Sequence, residues 1–288
     1  MDLRFAVIGG DDRSVRLSEL LWRDGHRVCT YALDRAEMRD EIVKAQCVQG
    51  CVYGADCIVL PTPAEKGGFL NAPYAAQNVR AEELVSAMWQ GQRLFGGALG
   101  DGLCLAALRQ GIVVEDLMRR QDFAVGNAAI TAEGALGEMM AMSDRTLWRS
   151  SVLVCGWGRV AKLLTARLLA HGARVTVAAR QAEARAMAAA LGARSCTFGE
   201  LESLMGEFEF IVNTVPARVI DDATLCTVKE GAVLLELASA PGGFDRKLAE
   251  NIGLRSAAAP GLPGRCAPQS AAEVMCGAIY AALREGED

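Results

Sequence analysis

The stretch Val152–Ala161, VLVCGWGRVA, constrains this chain more than any other. A run of apolar residues leads into Gly156-x-Gly158-x-x-Ala161, and the residues that follow put Val160, Leu164 and Leu168 at helical spacing. Each small residue has a physical reason in a phosphate-binding turn. Gly156 makes the tight turn, Gly158 lets a pyrophosphate approach the backbone, and Ala161 lets the helix pack on the strand. The helix N-terminus then offers unpaired N–H groups and the positive end of a dipole to the phosphates. Glycines alone would also suit a ligand-free turn. Here strand, turn, helix and next strand fall in register, which predicts a dinucleotide cradle built by Gly156, Trp157, Gly158, Arg159 and Val160.

The next strand bears on which dinucleotide. It ends in Ala179-Arg180, about 20 residues beyond the glycines, where enzymes that prefer NAD place an Asp or Glu on the ribose hydroxyls. A small residue followed by an arginine suits the 2′-phosphate of NADP, and Arg159 in the turn adds a second positive charge. The alternative is a solvated arginine at a strand end. Further along, Asn213-Thr214-Val-Pro216 closes another strand at the carboxyl edge, where ligands lie in such sheets. Asn213 and Thr214 are expected either to bond the nicotinamide-side ribose or to cap a turn. Ala238 and Ser239 stand at the next strand end, and Pro260–Gly264 reads as a rigid loop.

Short β-branched runs alternate with helical patterns along the chain, the signature of parallel α/β units. Strands are predicted at Phe5–Ile8, Val28–Tyr31, Cys57–Leu60, Arg93–Phe95 and Phe123–Val125, then at Val152–Cys155, Arg174–Ala178, Phe210–Asn213, Val233–Leu237 and Leu254–Ala257. Thr131–Met142 reads as a helix crossing between domains, its Gly134 and Gly137 permitting close packing. Pro268–Leu283 reads as a last helix. The length of 288 residues suits two domains, each with its own core. The expected fold is therefore α/β, two Rossmann-like doubly wound parallel-sheet domains in tandem: residues 1–128 on the substrate side and 129–288 on the dinucleotide side. The C-terminal helix 268–285 is available to pack back on the first domain.

Composition excludes several classes. A net charge of −5 and a pI near 5.3, without a basic patch, argue against nucleic acid. No apolar run reaches the roughly 18 residues of a membrane helix, and the opening MDLRFAVIGG runs straight into a strand, so a cytoplasmic protein is expected. Ten cysteines invite a metal, but most lie in apolar runs, and the spacings of Cys47, Cys51 and Cys57 do not match zinc ligation. No metal site is expected. In the N-terminal half, Gly9-Gly10-Asp11 follows a strand without the full glycine pattern. Asp11 or Asp12 is expected to cap the next helix, and Arg13 at the mouth of the turn is a candidate anion ligand.

Taken together, IGGDDR near the start, NAAITAEG at the crossover, CGWGR, NTVP, ELASAPGG and APGLPG resemble the dipicolinate synthase A-subunit family of spore-forming bacteria over nearly the whole chain. The chain departs from the family's D-L-A-S-R-P, where Glu236 and Ala240 replace the acid and the arginine, and from its crossover proline, where Ile130 stands before Thr131. The resemblance implies a layout like that of 2-hydroxyacid dehydrogenases, with a family-specific N-terminal domain and NADP as cofactor. It implies an oxidoreductase of a sporulation branch of lysine biosynthesis, forming dipicolinate from dihydrodipicolinate or its hydroxy-tetrahydro precursor. The implied partner is the synthase's flavoprotein-like B component. Such a cyclic dicarboxylate calls for cationic clamps, for which Arg13, Lys66 and Arg265 are candidates beside Gly10 and Asp11. Glu133 is the candidate general base, or else a first-turn glutamate favoured by the helix dipole. Another NADP-dependent hydroxyacid or imine oxidoreductase, a non-catalytic NADP-binding role in a two-component complex, and a homo-oligomer all stay open.

Overall fold

A computed structural model describes residues 2–286. The chain divides into two compact units, one made of the residues up to Asn127 together with those from Pro263 on, the other of Ala128–Leu262.

The first unit is built on a six-stranded parallel sheet: β1 Arg4–Ile8, β2 Arg27–Tyr31, β3 Val43–Lys44, β4 Cys57–Val59, β5 Arg93–Gly96 and β6 Val113–Asp116. The strands lie in the order 3-2-1-4-5-6, with Phe5 in register with Val28 on one side and with Cys57 on the other. The central strands read as nearly unbroken apolar runs because helices cover both faces. On one face Phe5, Val7 and Phe95 pack against Val15, Leu17 and Leu21 of the helix Asp12–Arg23 and against Met275 and Ile279 of the helix Pro268–Glu285. On the other, Ala6, Ile8, Ile58 and Leu94 meet Val48, Leu84 and Leu103 from three shorter helices. The C-terminal helix is pinned to this unit by polar contacts as well. Arg93 donates to the carbonyls of Ala282 at 2.7 Å and Leu283 at 3.4 Å, and Tyr280 donates to Asp24 at 2.7 Å.

The second unit repeats the plan with β7 Ser151–Cys155, β8 Arg174–Ala178, β9 Arg194–Cys196, β10 Phe210–Asn213, β11 Val233–Glu236 and β12 Arg255–Ala258, in the order 9-8-7-10-11-12. Val154 of β7 is in register with Val177 of β8 and Val212 of β10. One face of the sheet packs Val152, Val154 and Val177 against Ala161, Leu164 and Leu168 of the helix Arg159–Ala170. The other packs Leu153, Ile211 and Leu234 against Leu201, Leu225 and Phe244. In each sheet the strand order reverses beside the first strand, which puts the ligand-binding switch point between the carboxyl ends of β1 and β4, and of β7 and β10.

Three expectations are corrected. Phe123–Val125 is not a strand; it lies in the helix Gln121–Ala141, where Asp122 accepts from the Phe123 N–H at 2.8 Å in the first turn. The sixth strand is instead Val113–Asp116, an edge strand whose partly exposed residues lack a buried-strand pattern. The helix that passes from one unit to the other begins ten residues before Thr131. Its close approach is at Gly126, where a Cβ would lie 2.6 Å from Val274, whereas Gly137 has open space.

Candidate active site

The turn after β7 is shaped by two glycines with opposite surroundings. Gly156 has φ +106°, and a Cβ there would lie 2.5 Å from Thr214 Oγ1 and 3.0 Å from Val215. Its N–H donates to the Ala178 carbonyl at 2.8 Å, and Thr214 braces the turn from behind by donating its hydroxyl to the Cys155 carbonyl at 2.7 Å. Gly158 has ordinary extended backbone and is the N-cap of the helix Arg159–Ala170. Nothing lies within 4 Å of a Cβ built on it, so the helix N-terminus opens on free space. Ala161 is fully buried against the sheet.

A cavity of about 490 Å³ runs from this turn to the end of β8 and is lined by Gly156, Trp157, Lys162, Ala179, Arg180 and Glu183, among others. Ala179 is buried and Arg180 exposed. The backbone carrying Arg180 is held by Arg185, which donates to the carbonyls of Ala179 at 2.9 Å and Arg180 at 2.7 Å. The glycine pattern does not single out Lys162 or Arg185; a basic residue one turn into each of the two flanking helices was the available signal. Arg159 and Val160 stand at the helix start.

The remaining strand-end residues divide. Thr214 is part of the turn's support, and Pro216 and Ser239 are exposed. Asn213 is fully buried, and its amide is consumed locally: Nδ2 donates to Glu236 Oε1 at 2.7 Å and to the Val215 carbonyl at 2.8 Å, while Oδ1 accepts from the Val215 N–H at 3.1 Å. Of its two expected roles, Asn213 therefore takes the turn-capping one. Glu236, which the sequence marked only as a departure, is the organiser. Its carboxylate also accepts from the N–H groups of Ala238 at 2.9 Å and Gly243 at 2.7 Å, tying down the loop after β11.

In the first unit the corresponding turn is closed. Gly9 and Gly10 both have positive φ, yet the Gly10 N–H donates to the Asn71 carbonyl at 2.9 Å, and a Cβ on Gly9 would lie 3.0 Å from that of Ala72. The loop after β4 thus occupies the place a phosphate would need. Asp11 caps the helix Asp12–Arg23, accepting from the Arg13 N–H at 3.1 Å. Arg13 is buried and engaged, with Nε at 2.9 Å and Nη2 at 2.8 Å from the Asp11 carboxylate and Nη2 at 2.5 Å from the Thr62 carbonyl. Lys66, on the small hairpin Glu65–Lys66/Phe69–Leu70, and Arg265 are exposed. Glu133 is exposed, lies in mid-helix rather than in a first turn, and pairs with Arg167 at 3.1 Å. Among the described residues no group of three His, Cys, Asp or Glu is arranged to hold a metal, and no helix is long and apolar enough to cross a membrane.

This geometry agrees with what the chain resembles. The model of the NAD-binding domain of D-isomer specific 2-hydroxyacid dehydrogenases matches residues 102–250, and that of the N-terminal domain of the dipicolinate synthase A-subunit matches residues 4–118. The A-subunit of dipicolinate synthase from Bacillus subtilis (strain 168) is 27% identical over 286 residues, covering 98% of this chain and 96% of that protein. The chain belongs to the dipicolinate synthase A-subunit family. Two crystal structures of the family share its fold. That from Bacillus subtilis has a TM-score of 0.84 at 26% identity, covering 100% of this chain and 98% of the other. That from Bacillus halodurans has a TM-score of 0.86 at 24% identity, covering 98% and 97%. The dehydrogenase domain makes the protein an oxidoreductase whose cofactor is a nicotinamide dinucleotide. The residues present fit that group: an open glycine at a helix N-terminus, a tight glycine turn before it, and a cavity leading to the end of the second strand.

Proposed function

We propose that the protein, whose partner is the synthase's B component, itself uses NADP to oxidise dihydrodipicolinate, or its hydroxy-tetrahydro precursor, to dipicolinate, with the reacting groups on this chain. The observation that carries the cofactor choice is the end of β8. A buried Ala179 and an exposed Arg180 line the cavity where an acid would otherwise meet the ribose. A guanidinium there attracts a 2′-phosphate, and Lys162 on the same cavity wall adds to the positive potential facing the phosphates.

The bound dinucleotide supplies the hydride acceptor. The chain's residues hold it. Gly158 and the first-turn N–H groups take the pyrophosphate, while Gly156, braced by Thr214, keeps the turn narrow. Glu236, through Asn213, Ala238 and Gly243, keeps the loop after β11 in one conformation at the same sheet edge. On this reading the N-terminal unit is the substrate side. Lys66 and Arg265 place positive charge on its surface for a dicarboxylate, and Arg13 orders the Gly10–Asp11 turn. The relative's name supports the substrate.

A second reading draws on a specific observation. The two groups with the clearest chemical promise, Arg13 and Glu133, are both engaged in ion pairs of their own. That favours a chain which binds the cofactor while its partner contributes reacting groups. One experiment separates the readings. The chain alone, and then with a candidate B component, is given NADP and the dihydrodipicolinate precursor while NADPH and pyridine absorbance are followed. Pyridine formed by the chain alone supports the first reading, pyridine formed only with the B component supports the second, and no pyridine in either arm refutes the substrate.

A further inference from the structure

The N-terminal unit contains a thiol cluster that the dehydrogenase chemistry does not use. Cys29 sits on β2, paired in register with Ala6 of β1 and Val43 of β3. Cys51 sits on the short helix Val48–Val52, which packs over the same face of the sheet. The two thiols are hydrogen-bonded to each other. They also share the wall of a cavity of about 160 Å³. Their accessibilities differ: Cys51 is 1% exposed and Cys29 only half-buried. A third thiol, Cys47, is exposed and caps the short helix, its sulfur accepting from the Gly50 N–H at 3.4 Å.

We propose that Cys29 and Cys51 form a thiol–disulfide site, with Cys29 the thiol that meets the oxidant and Cys51 the thiol that resolves it, the oxidant being a small peroxide. The division of labour follows from burial, because the oxidant reaches the half-buried sulfur and not the covered one. The electrostatics agree. The hydrogen bond from Cys51, helped by backbone hydrogen bonds at Ala45 and Thr30, draws the Cys29 thiol down to about 7 against the effect of its own burial. The same bond, together with burial, pushes the Cys51 thiol up. A thiolate is the reactive form, so Cys29 is chemically distinct from the buried Cys57, whose thiol burial pushes up to about 12.

The step balances with hydrogen peroxide as the oxidant. The Cys29 thiolate attacks one peroxide oxygen, the O–O bond breaks, hydroxide leaves and is protonated to water, and Cys29 becomes a sulfenic acid. The Cys51 sulfur then attacks the Cys29 sulfur, the S–S bond forms, and the S–O bond breaks. The departing hydroxide takes up the proton that Cys51 gives up and leaves as a second water. The pair of thiols loses two electrons and the peroxide gains them. Both side chains line one cavity wall and pack in one cluster over the same face of the sheet, so closing the bond asks for side-chain adjustment.

The test is peptide mapping under non-reducing conditions after the full chain has been reduced, exposed to graded hydrogen peroxide and alkylated. The expected product is a single linked peptide joining Cys29 to Cys51, reversed by a dithiol. In Cys51→Ser, Cys29 is expected to accumulate as a sulfenic acid trapped by dimedone. In the untreated chain, Cys29 is expected to alkylate at pH 7 about fivefold faster than the exposed Cys226 and Cys266. A linkage of Cys29 with Cys47, a linkage of any other pair, or no linkage at all overturns the proposal, as does a Cys29 no more reactive than Cys226. The mapping uses the unsubstituted chain, so a variant that fails to fold leaves the decisive measurement intact.

Discussion

Substituting Gly158 and Gly156 in turn separates holding the cofactor from holding the fold. Gly158→Val adds atoms where nothing lies within 4 Å and where the backbone, at φ −75° and ψ −175°, is open to any residue. The expected folding penalty is that of exchanging glycine for a poor N-cap residue, about 1 kcal/mol, or about 2–4 °C in Tm for a chain of this size. The same methyls stand where the pyrophosphate must approach the helix N-terminus. Losing charge-assisted bonds worth about 3 kcal/mol in sum weakens the dinucleotide by roughly a hundredfold or more. Gly156→Ala is expected to behave in the opposite way. Its φ of +106° strains any L side chain by about 1–2 kcal/mol. The 2.5 Å approach to Thr214 Oγ1, a hydroxyl fixed by its bond to Cys155, adds overpacking of about 1–3 kcal/mol. The expected loss is roughly 5–15 °C in Tm. NADPH titrations followed through Trp157 fluorescence, paired with thermal melts, measure both quantities. A Gly158→Val protein that binds NADPH as well as the parent would show that the phosphates do not lie on this turn, and the assignment of the cofactor site would fall.

Four further outcomes are expected. Arg180→Asp weakens NADP by about 1–3 kcal/mol and spares NAD; parent protein that titrates identically with both dinucleotides refutes the role given to Arg180. Arg13→Ala lowers stability by about 1–3 kcal/mol, because it strands a partly buried Asp11 carboxylate and the Thr62 carbonyl, and denaturant unfolding that shows no change counts against this. Glu236→Gln leaves a single acceptor oxygen for three N–H donors, so faster amide hydrogen exchange at Ala238 and Gly243 is expected; unchanged protection contradicts the organising role. His26, whose pKa burial pulls below its ordinary 6.5 while Asp24 opposes the shift, is held neutral in the fold, its Nδ1 accepting from the Leu3 N–H at 3.3 Å. The unfolded chain therefore takes up the proton first, and stability should fall as pH drops below about 6.5; a His26→Gln protein with the same pH profile removes this residue as the cause.

The parts of the site that are readable from residue types are those where one backbone requirement admits one kind of side chain. Gly156, Gly158 and Ala161 are such positions, and the structure gives each a different reason for being small. Asn213 is the opposite case. A polar residue at a strand's carboxyl end suits a ligand and suits a turn equally well, and what decides between them is Glu236, 23 residues further on. The two meet only because β10 and β11 are paired with Asn213 directly opposite Glu236, a register no local pattern announces. Phe123–Val125 misleads for a related reason. A short apolar run is ambiguous between strand and buried helix, and the true edge strand at Val113–Asp116 is too exposed to carry a strand signal. Glu133 looks like a first-turn residue only as long as the helix start at Gln121 goes unrecognised.

The two sheets have the same strand order, yet the cofactor features belong to one of them, and the difference lies in a few atoms at each switch point. After β7 the second glycine opens on free space and, as the N-cap, brings no side chain of its own to the helix N–H groups. After β1 the equivalent groups are already satisfied. The Asn71 carbonyl takes the Gly10 N–H, Asp11 takes that of Arg13, and the Arg13 guanidinium neutralises the carboxylate that would repel an incoming phosphate. A phosphate entering there must displace a backbone hydrogen bond and break a charge-assisted pair, together costing more than the helix dipole returns. The chain itself thus plays the part of the anion in the first unit. The loop Leu60–Pro73 that supplies Asn71 also carries Lys66, so the segment that shuts out a second dinucleotide is the one that, on the proposed reading, presents positive charge to a smaller acid.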